Sequence, residues 1–232
     1  RYGGSYKSGK LASKLLYKTK VKDPKVFRQR VLRNNKKYSV SLVIDQSGSM
    51  SGNKATEAAK AAVLMSEVLS ELQNSGVEFE IFGFNELEKH YKTFDQVYNW
   101  DVKRNLECII TEAQGNGAGG NNDGYAIHMS AKRLLQREGE KIMFVFSDGR
   151  PAPGYGSIPS HAKKMCPKGK QSYDSFDLKT EVNLASEQVK LIGIGIQDES
   201  VSAYYPEYFV IREVSELPSL LLNILKKHIK RG

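Results

Sequence analysis

A three-layer α/β domain, with helices on both faces of a central and mostly parallel sheet, is the fold this sequence predicts. Apolar, β-rich runs alternate along the chain with segments whose apolar residues recur at helical spacing. Those runs are nearly continuous in apolar character, as strands buried on both faces are. The first of them leads through a loop of small residues straight into a helix, the opening of an α/β unit. A chain of 232 residues with 40% hydrophobic content can bury one substantial core and leaves little room for a second full domain.

The first strand is YSVSLVID, Tyr38 to Asp45. QSGSMSGNK follows as a turn, and from Lys54 the positions Ala58, Ala62, Met65, Leu69 and Leu72 mark one helical face until Gly76 stops it. VEFEIFGF is the second strand, followed by a helix near Lys103 to Ala113 and a clearer one over Gly124 to Arg137. KIMFVFSD is the next buried strand. A helix near Phe176 to Val189, the strand KLIGIGI and a closing helix over Glu216 to Ile229 complete the series. Ligands of such sheets bind at the carboxyl ends of the strands, so the loops after Asp45, near Gly120 and after Ser147 are where chemistry is expected.

Charge divides the chain at residue 37. Lys and Arg supply 13 of the first 37 residues against the single acid Asp23, a net charge of +12, whereas residues 38–232 sum to −3. The domain proper, 38–232, is therefore slightly acidic and wears a basic N-terminal arm, 1–37, that packs on it or precedes it. LASKLL and DPKVFRQRVL give that arm apolar residues at helical spacing. Nucleic acid, an acidic membrane or an acidic protein surface are the partners its charge allows, but aromatic residues for base stacking are sparse. Cys108 and Cys166 lie far apart without zinc-site spacing and read as free thiols. With no apolar run of 18 residues and no signal peptide, a cytoplasmic protein is the expectation. The abrupt start at RYGGSYK reads as a piece of a longer chain.

Three loops carry the candidate site. Asp45, Ser47 and Ser49 form a DxSxS turn with three oxygen-bearing side chains, the outline of a hard-cation site. FSDGRP places Asp148 at another strand end, and GAGGNNDGYAI offers Asn121, Asn122 and Asp123 just before a helix. Mg²⁺ suits two hydroxyls bound directly and carboxylates acting through water, with Mn²⁺ or Ca²⁺ as alternatives. Capping of the following helix by Ser47 and Ser49 is the structural alternative, and an ordinary turn role is the alternative for Asn121.

VIDQSGSM, GGNNDGYAI and FVFSDG together resemble the three loops of the metal-ion-dependent adhesion site of von Willebrand factor A domains. The resemblance implies a Rossmann-like three-layer fold, direct metal ligation by Ser47 and Ser49, water-mediated roles for Asp45 and Asp148, and an open position for a partner's carboxylate. The second loop of that family usually carries Thr in a GGTNTG-like pattern. GGNNDG puts Asn121 in its place and Asp123 two positions later, so both stand as candidate ligands. The flanks, SGKLASKLLY with VFRQRV, VEFEIFGFNE, NNDGYAIHMSAKRLL, FSDGRPAP and IGIGIQDESVSAYYPEYFVI, resemble the C-terminal domain of the T subunit of aerobic cobaltochelatase and its relatives beside MoxR-type AAA+ ATPases. That resemblance implies a non-catalytic adaptor docking on a ring ATPase and coupling it to a client, as in cobalamin biosynthesis.

Other chemistries fit less well. A phosphoaspartyl phosphatase needs an acid where Ser47 stands, GIGIQD lacks the remainder of a dinucleotide fingerprint, and no GxxxxGK[ST] motif occurs, so the chain is expected not to be an enzyme. Direct handling of Co²⁺ or a tetrapyrrole would want clustered His or Cys. His90, His128, His161 and His228 are scattered, with His161 inside the Pro/Gly-rich insertion that follows Asp148. Trp100, Tyr204, Tyr205 and Tyr208 are expected to pack in the core or on strands.

Overall fold

The computed structural model describes residues 2–6, 10–11, 27–30, 37–86, 88–114, 121–149, 151, 158, 160–170, 172–217 and 220. The chain forms two compact units, Arg1–Asn35 and Lys36–Gly232. In the first, strands β1 (Tyr2–Tyr6), β2 (Lys10–Leu11) and β3 (Phe27–Arg30) make an antiparallel sheet in the order β1-β3-β2. This corrects the helical reading of the arm where it is described: Phe27 to Arg30 pair with Tyr6 to Tyr2 across a bulge, so strand pairing overrides the local spacing. The rest of LASKLL and of DPKVFRQRVL lies outside the described residues.

The second unit is a six-stranded sheet in the order β6-β5-β4-β7-β8-β9. Its strands are β4 (Tyr38–Asp45), β5 (Val77–Phe84), β6 (Glu88–Lys92), β7 (Glu140–Ser147), β8 (Lys190–Ile196) and β9 (Tyr208–Ile211). All neighbours are parallel except β5 and β6. β4 is central, pairing over Tyr38 to Asp45 with β5 and over Tyr38 to Ile44 with β7. All eight of its residues are buried.

The period of two in each strand divides the core by face. Val40, Leu42 and Ile44 join Phe79, Ile81, Phe144 and Ile194 beneath helix α1 (Asn53–Glu71), which contributes Ala58, Ala62, Met65 and Leu69. Val43, Phe82, Phe84, Met143 and Val145 pack on the opposite face against α4 (Asp123–Leu135) and α6 (Leu178–Ser186). The helix expected near 103–113 divides into α2 (Trp100–Asn105) and α3 (Cys108–Gln114), with Leu106 fully buried at the junction. A short helix, α5 (Ser160–Lys163), lies in the insertion after β7. The closing helix falls largely outside the described residues.

A chain of polar side chains crosses this core. Ser41 donates to Glu80 at 2.7 Å, Ser130 of α4 donates to Ser41 at 2.8 Å, and Arg133 one turn on donates to Glu80 at 2.9 Å. Lys92 is fully buried on the antiparallel edge strand. Its ammonium donates to the carbonyls of Phe79 at 2.6 Å and Thr93 at 3.0 Å and lies 4.2 Å from the Phe79 ring centre, which replaces its lost hydration. Trp100 corrects the packing expectation, being 71% exposed at the start of α2, and Tyr208 is 45% exposed, whereas Tyr205 is buried. Cys108 and Cys166 are free thiols. No helix among the described residues is long and apolar enough to cross a membrane.

Gly124 tests how tightly α4 is seated. A Cβ there would lie 2.0 Å from the Phe176 carbonyl oxygen, a backbone atom that cannot swing aside. Gly124→Ala is expected to cost roughly 1–3 kcal/mol in urea denaturation; an unchanged midpoint would show that the segment before α6 is not fixed against α4.

Candidate functional site

Because β4, β5 and β7 run parallel and in register, their carboxyl ends open at one edge of the sheet, and three loops meet there. The chain leaves β4 through Gln46, whose amide donates to the Phe84 carbonyl at 2.7 Å. Asp45 is fully buried. Its Oδ1 accepts from the Ser47 amide at 2.8 Å and its Oδ2 from the Ser147 hydroxyl at 2.8 Å, with the Asn121 Nδ2 at 3.5 Å. The first, second and third loops are thus joined on one carboxylate.

Ser47 and Ser49 flank the start of a 3-10 turn, with their hydroxyl oxygens 3.0 Å apart. Neither caps α1, whose cap position is Gly52, and Ser47 makes no capping bond from its side chain. Both hydroxyls are therefore spared the duty that would have explained them structurally. Asn121 is 1% exposed, and Asn122 ties the second loop to the end of β5 through its amide, 3.0 Å from the Asn85 carbonyl. Asp123 opens α4 at 4% exposure, and its Oδ2 is buried without a hydrogen-bond partner.

Asp148 is fully buried, and the Lys54 ammonium from the first turn of α1 stands 3.2 Å from its Oδ2 and 3.8 Å from Asp198 Oδ2. Gly149 is required after it: φ is +70°, and a Cβ would meet the Val201 amide nitrogen at 2.3 Å. The Gly149 amide donates to Ser147 Oγ at 2.9 Å, completing a chain from the third loop to Asp45.

The electrostatics follow from burial. Desolvation pushes the Asp45 carboxyl up to about 6, against the pull of its Ser47 and Ser147 hydrogen bonds, and the Asp148 charge adds to the rise. Asp123 is raised well above the ordinary range, first by burial and then by Asp45 and Asp148. Burial also raises the Tyr205 phenol, with Asp123 and Asp45 as further causes. Three carboxylates share the site, and the Lys54 ammonium is bonded to one of them, Asp148. Among the described residues no three His, Cys, Asp or Glu side chains form a metal cluster by themselves. A cation here would have to draw on hydroxyl or amide oxygens as well, which is the chemistry of a hard ion.

The six residues singled out in the sequence, Asp45, Ser47, Ser49, Asn121, Asp123 and Asp148, all stand at this edge. Sequence reasoning missed Lys54, Ser147 and Asp198. Ser147 was legible as the residue preceding Asp148 in FSDG, but its bond to Asp45 needs the β4–β7 register. GIGIQD serves packing: a Cβ on Gly193 would meet the Tyr205 ring at 2.6 Å. His128 pairs with Glu181 at 2.9 Å, and only the backbone of His161, in α5, is among the described features.

A family model described as the von Willebrand factor type A domain matches residues 39–207. The chain is 27% identical over 237 residues to the uncharacterized protein YojO of Bacillus subtilis (strain 168), a match covering 97% of this chain and 35% of that protein. The chain therefore spans about a third of that relative's length. Among solved structures it is similar to the vWF domain of the type V pili tip protein Mfa5 from Porphyromonas gingivalis, with a TM-score of 0.58 at 13% identity over 85% of this chain and 98% of that one. It is also similar to the pilus adhesin SpaC from Lactobacillus rhamnosus GG in its open conformation, with a TM-score of 0.56 at 17% identity over 85% of this chain and 30% of that one. Likeness at such identities extends to the fold alone.

The raised Asp45 carboxyl makes a signed prediction. Between its unfolded value of 3.8 and its folded value of about 6 the folded chain holds a proton that the unfolded chain has released, so stability in chelator falls as pH rises through that window and stays lower above it. Asp45→Asn removes this slope. Relative to the parent, the variant should gain about 3 kcal/mol between pH 4 and pH 7, read from urea denaturation at each pH; parallel stability curves would contradict the burial of an ionising group there.

Proposed function

The chain belongs to the von Willebrand factor type A domain family, and on that premise we propose that it is a protein-binding module that holds Mg²⁺ at the loop cluster after β4 and there receives a carboxylate of its partner. One observation carries the proposal: three loops from separate parts of the chain converge on buried Asp45, where the hydroxyls of Ser47 and Ser49 stand free of capping duty and an Asp123 oxygen lacks a donor. Burying three carboxylates costs free energy unless positive charge accompanies them. A dication at the site would supply that charge and an open position for an acidic side chain.

Ser47 and Ser49 would bind it directly, Asp45 and Asp148 would act from behind, and Asn121 or Asp123 would complete the set. Of the last two, the unpartnered buried oxygen favours Asp123. Lys54 acts as a tethered cation that neutralises Asp148 when no metal is bound and competes with a metal for it. The narrower reading is a cytoplasmic, non-catalytic adaptor docked on a MoxR-type ring ATPase and coupling it to a client, and it rests on the flanking sequence resemblance. Direct metal insertion into a tetrapyrrole is disfavoured because no His or Cys cluster occurs among the described residues.

Calorimetric titration of Mg²⁺ and Mn²⁺ into chelator-treated protein tests the site. Saturable binding is expected, with affinity reduced at least about tenfold in the Ser47→Ala, Ser49→Ala double variant and raised roughly threefold or more in Lys54→Met. Equal affinity in the double variant and the parent would remove the proposal. For the adaptor reading, retention of the cognate ATPase on the immobilised chain should vanish in EDTA, and retention indifferent to chelator would refute it.

A further inference from the structure

A cavity of about 310 Å³ opens beside the candidate metal site and shares Asn121 and Asp123 with it. Its far side is built by the segment leading into α6, which brings Tyr173, Phe176 and Asp177 to the wall, and Tyr204 closes it. Every charged side chain lining it is an acid: Asp123, Asp174 and Asp177. The insertion that positions Tyr173 and Phe176 packs through a core of its own with Tyr125, Met129, Ile158 and Ala162. Edge-on contacts of Tyr125 with Tyr173 and Phe176, at 4.9 and 5.4 Å between ring centres, hold these rings in place.

Two buried atoms in this wall have no hydrogen-bond partner, Asn122 Oδ1 and Asp123 Oδ2. Both are acceptors. The orientation of the Asn122 amide is fixed, because its Nδ2 donates to the Glu86 carbonyl at 2.9 Å and a flipped amide would set oxygen against oxygen. What the wall lacks is therefore a donor, and the surrounding carboxylates select a positively charged one.

We infer that this cavity receives a basic side chain, Arg or Lys, of the same partner segment whose carboxylate reaches the metal site. The carboxylate half rests on the function proposed above; the cavity half does not, since its chemistry is complete without a metal. A partner would then be read by an acidic and a basic residue close together in its sequence, each gripped by one half of a continuous surface. Two weak contacts joined on one segment give an affinity that neither has alone.

The test is an NMR titration of the isotope-labelled chain, in EDTA, with N-acetyl-arginine amide and with its neutral isostere N-acetyl-citrulline amide. Saturable shifts are expected at Asn122, Tyr173 and Phe176 with arginine, at least about tenfold weaker with citrulline and about threefold or more weaker in Asp174→Asn, an exposed position whose change leaves the fold intact. Equal binding of citrulline, or no saturable shift at these residues, would overturn the inference. Adding Mg²⁺ to the same sample reads the other half separately through Ser47 and Ser49. Arginine shifts without Mg²⁺ shifts would leave the cavity standing and sink the metal reading, and the reverse would sink the cavity alone.

Discussion

Everything at the candidate site depends on β4 being paired along its length on both sides. A strand hydrogen-bonded to β5 and β7 and covered by α1 on one face and α4 on the other has no exposed residue, and Asp45, its last, inherits that burial. A lone carboxylate taken out of water is costly, so the surroundings are organised to hold it: the Ser47 amide and the Ser147 hydroxyl each give one hydrogen bond. The loops after β4 and β7 are thereby fixed relative to each other before any ligand arrives.

Close backbone approaches make this arrangement rigid. Gly149 lets the loop after β7 lie against Val201, and Gly124 lets the first turn of α4 lie against Phe176. The two approaches leave the backbone beside Asp148 and Asp123 little room to relax. Burial first, and the neighbouring carboxylates second, make the charged forms of Asp45 and Asp123 costly and raise both carboxyls. Pre-organised acidity of this kind favours a cation, whether the tethered ammonium of Lys54 or an ion from solution.

Acidic residues also line the neighbouring cavity, where Asp123, Asp174 and Asp177 stand with Tyr173, Phe176 and Tyr204. The positive charge, by contrast, is concentrated at the start of the chain: residues 1–37 carry +12, whereas residues 38–232, which include every residue of the site, sum to −3. Net charge over the whole chain would therefore mislead about what the site attracts.

The α/β class, the succession β4, α1, β5, α4, β7, α6 and β8, and the loops at the strand ends that carry the six candidate residues were legible in the sequence, because buried parallel strands are continuous apolar runs and DxSxS, NND and SDG each follow or precede such an element. The strand β6 was not, since EKHYK is charged and only pairing with β5 and the capture of Lys92 by the Phe79 carbonyl make it part of the sheet. Nor was the break between α2 and α3, where burial of Leu106 overrides helical spacing. Lys54, Ser147 and Asp198 join the site only through register and the seating of α1, and Trp100 reaches the surface because α2 turns it away from the core. Local pattern thus determined which residues stand at the strand ends, and tertiary structure decided which of them meet and are buried together, because burial and distance depend on partners far apart in sequence.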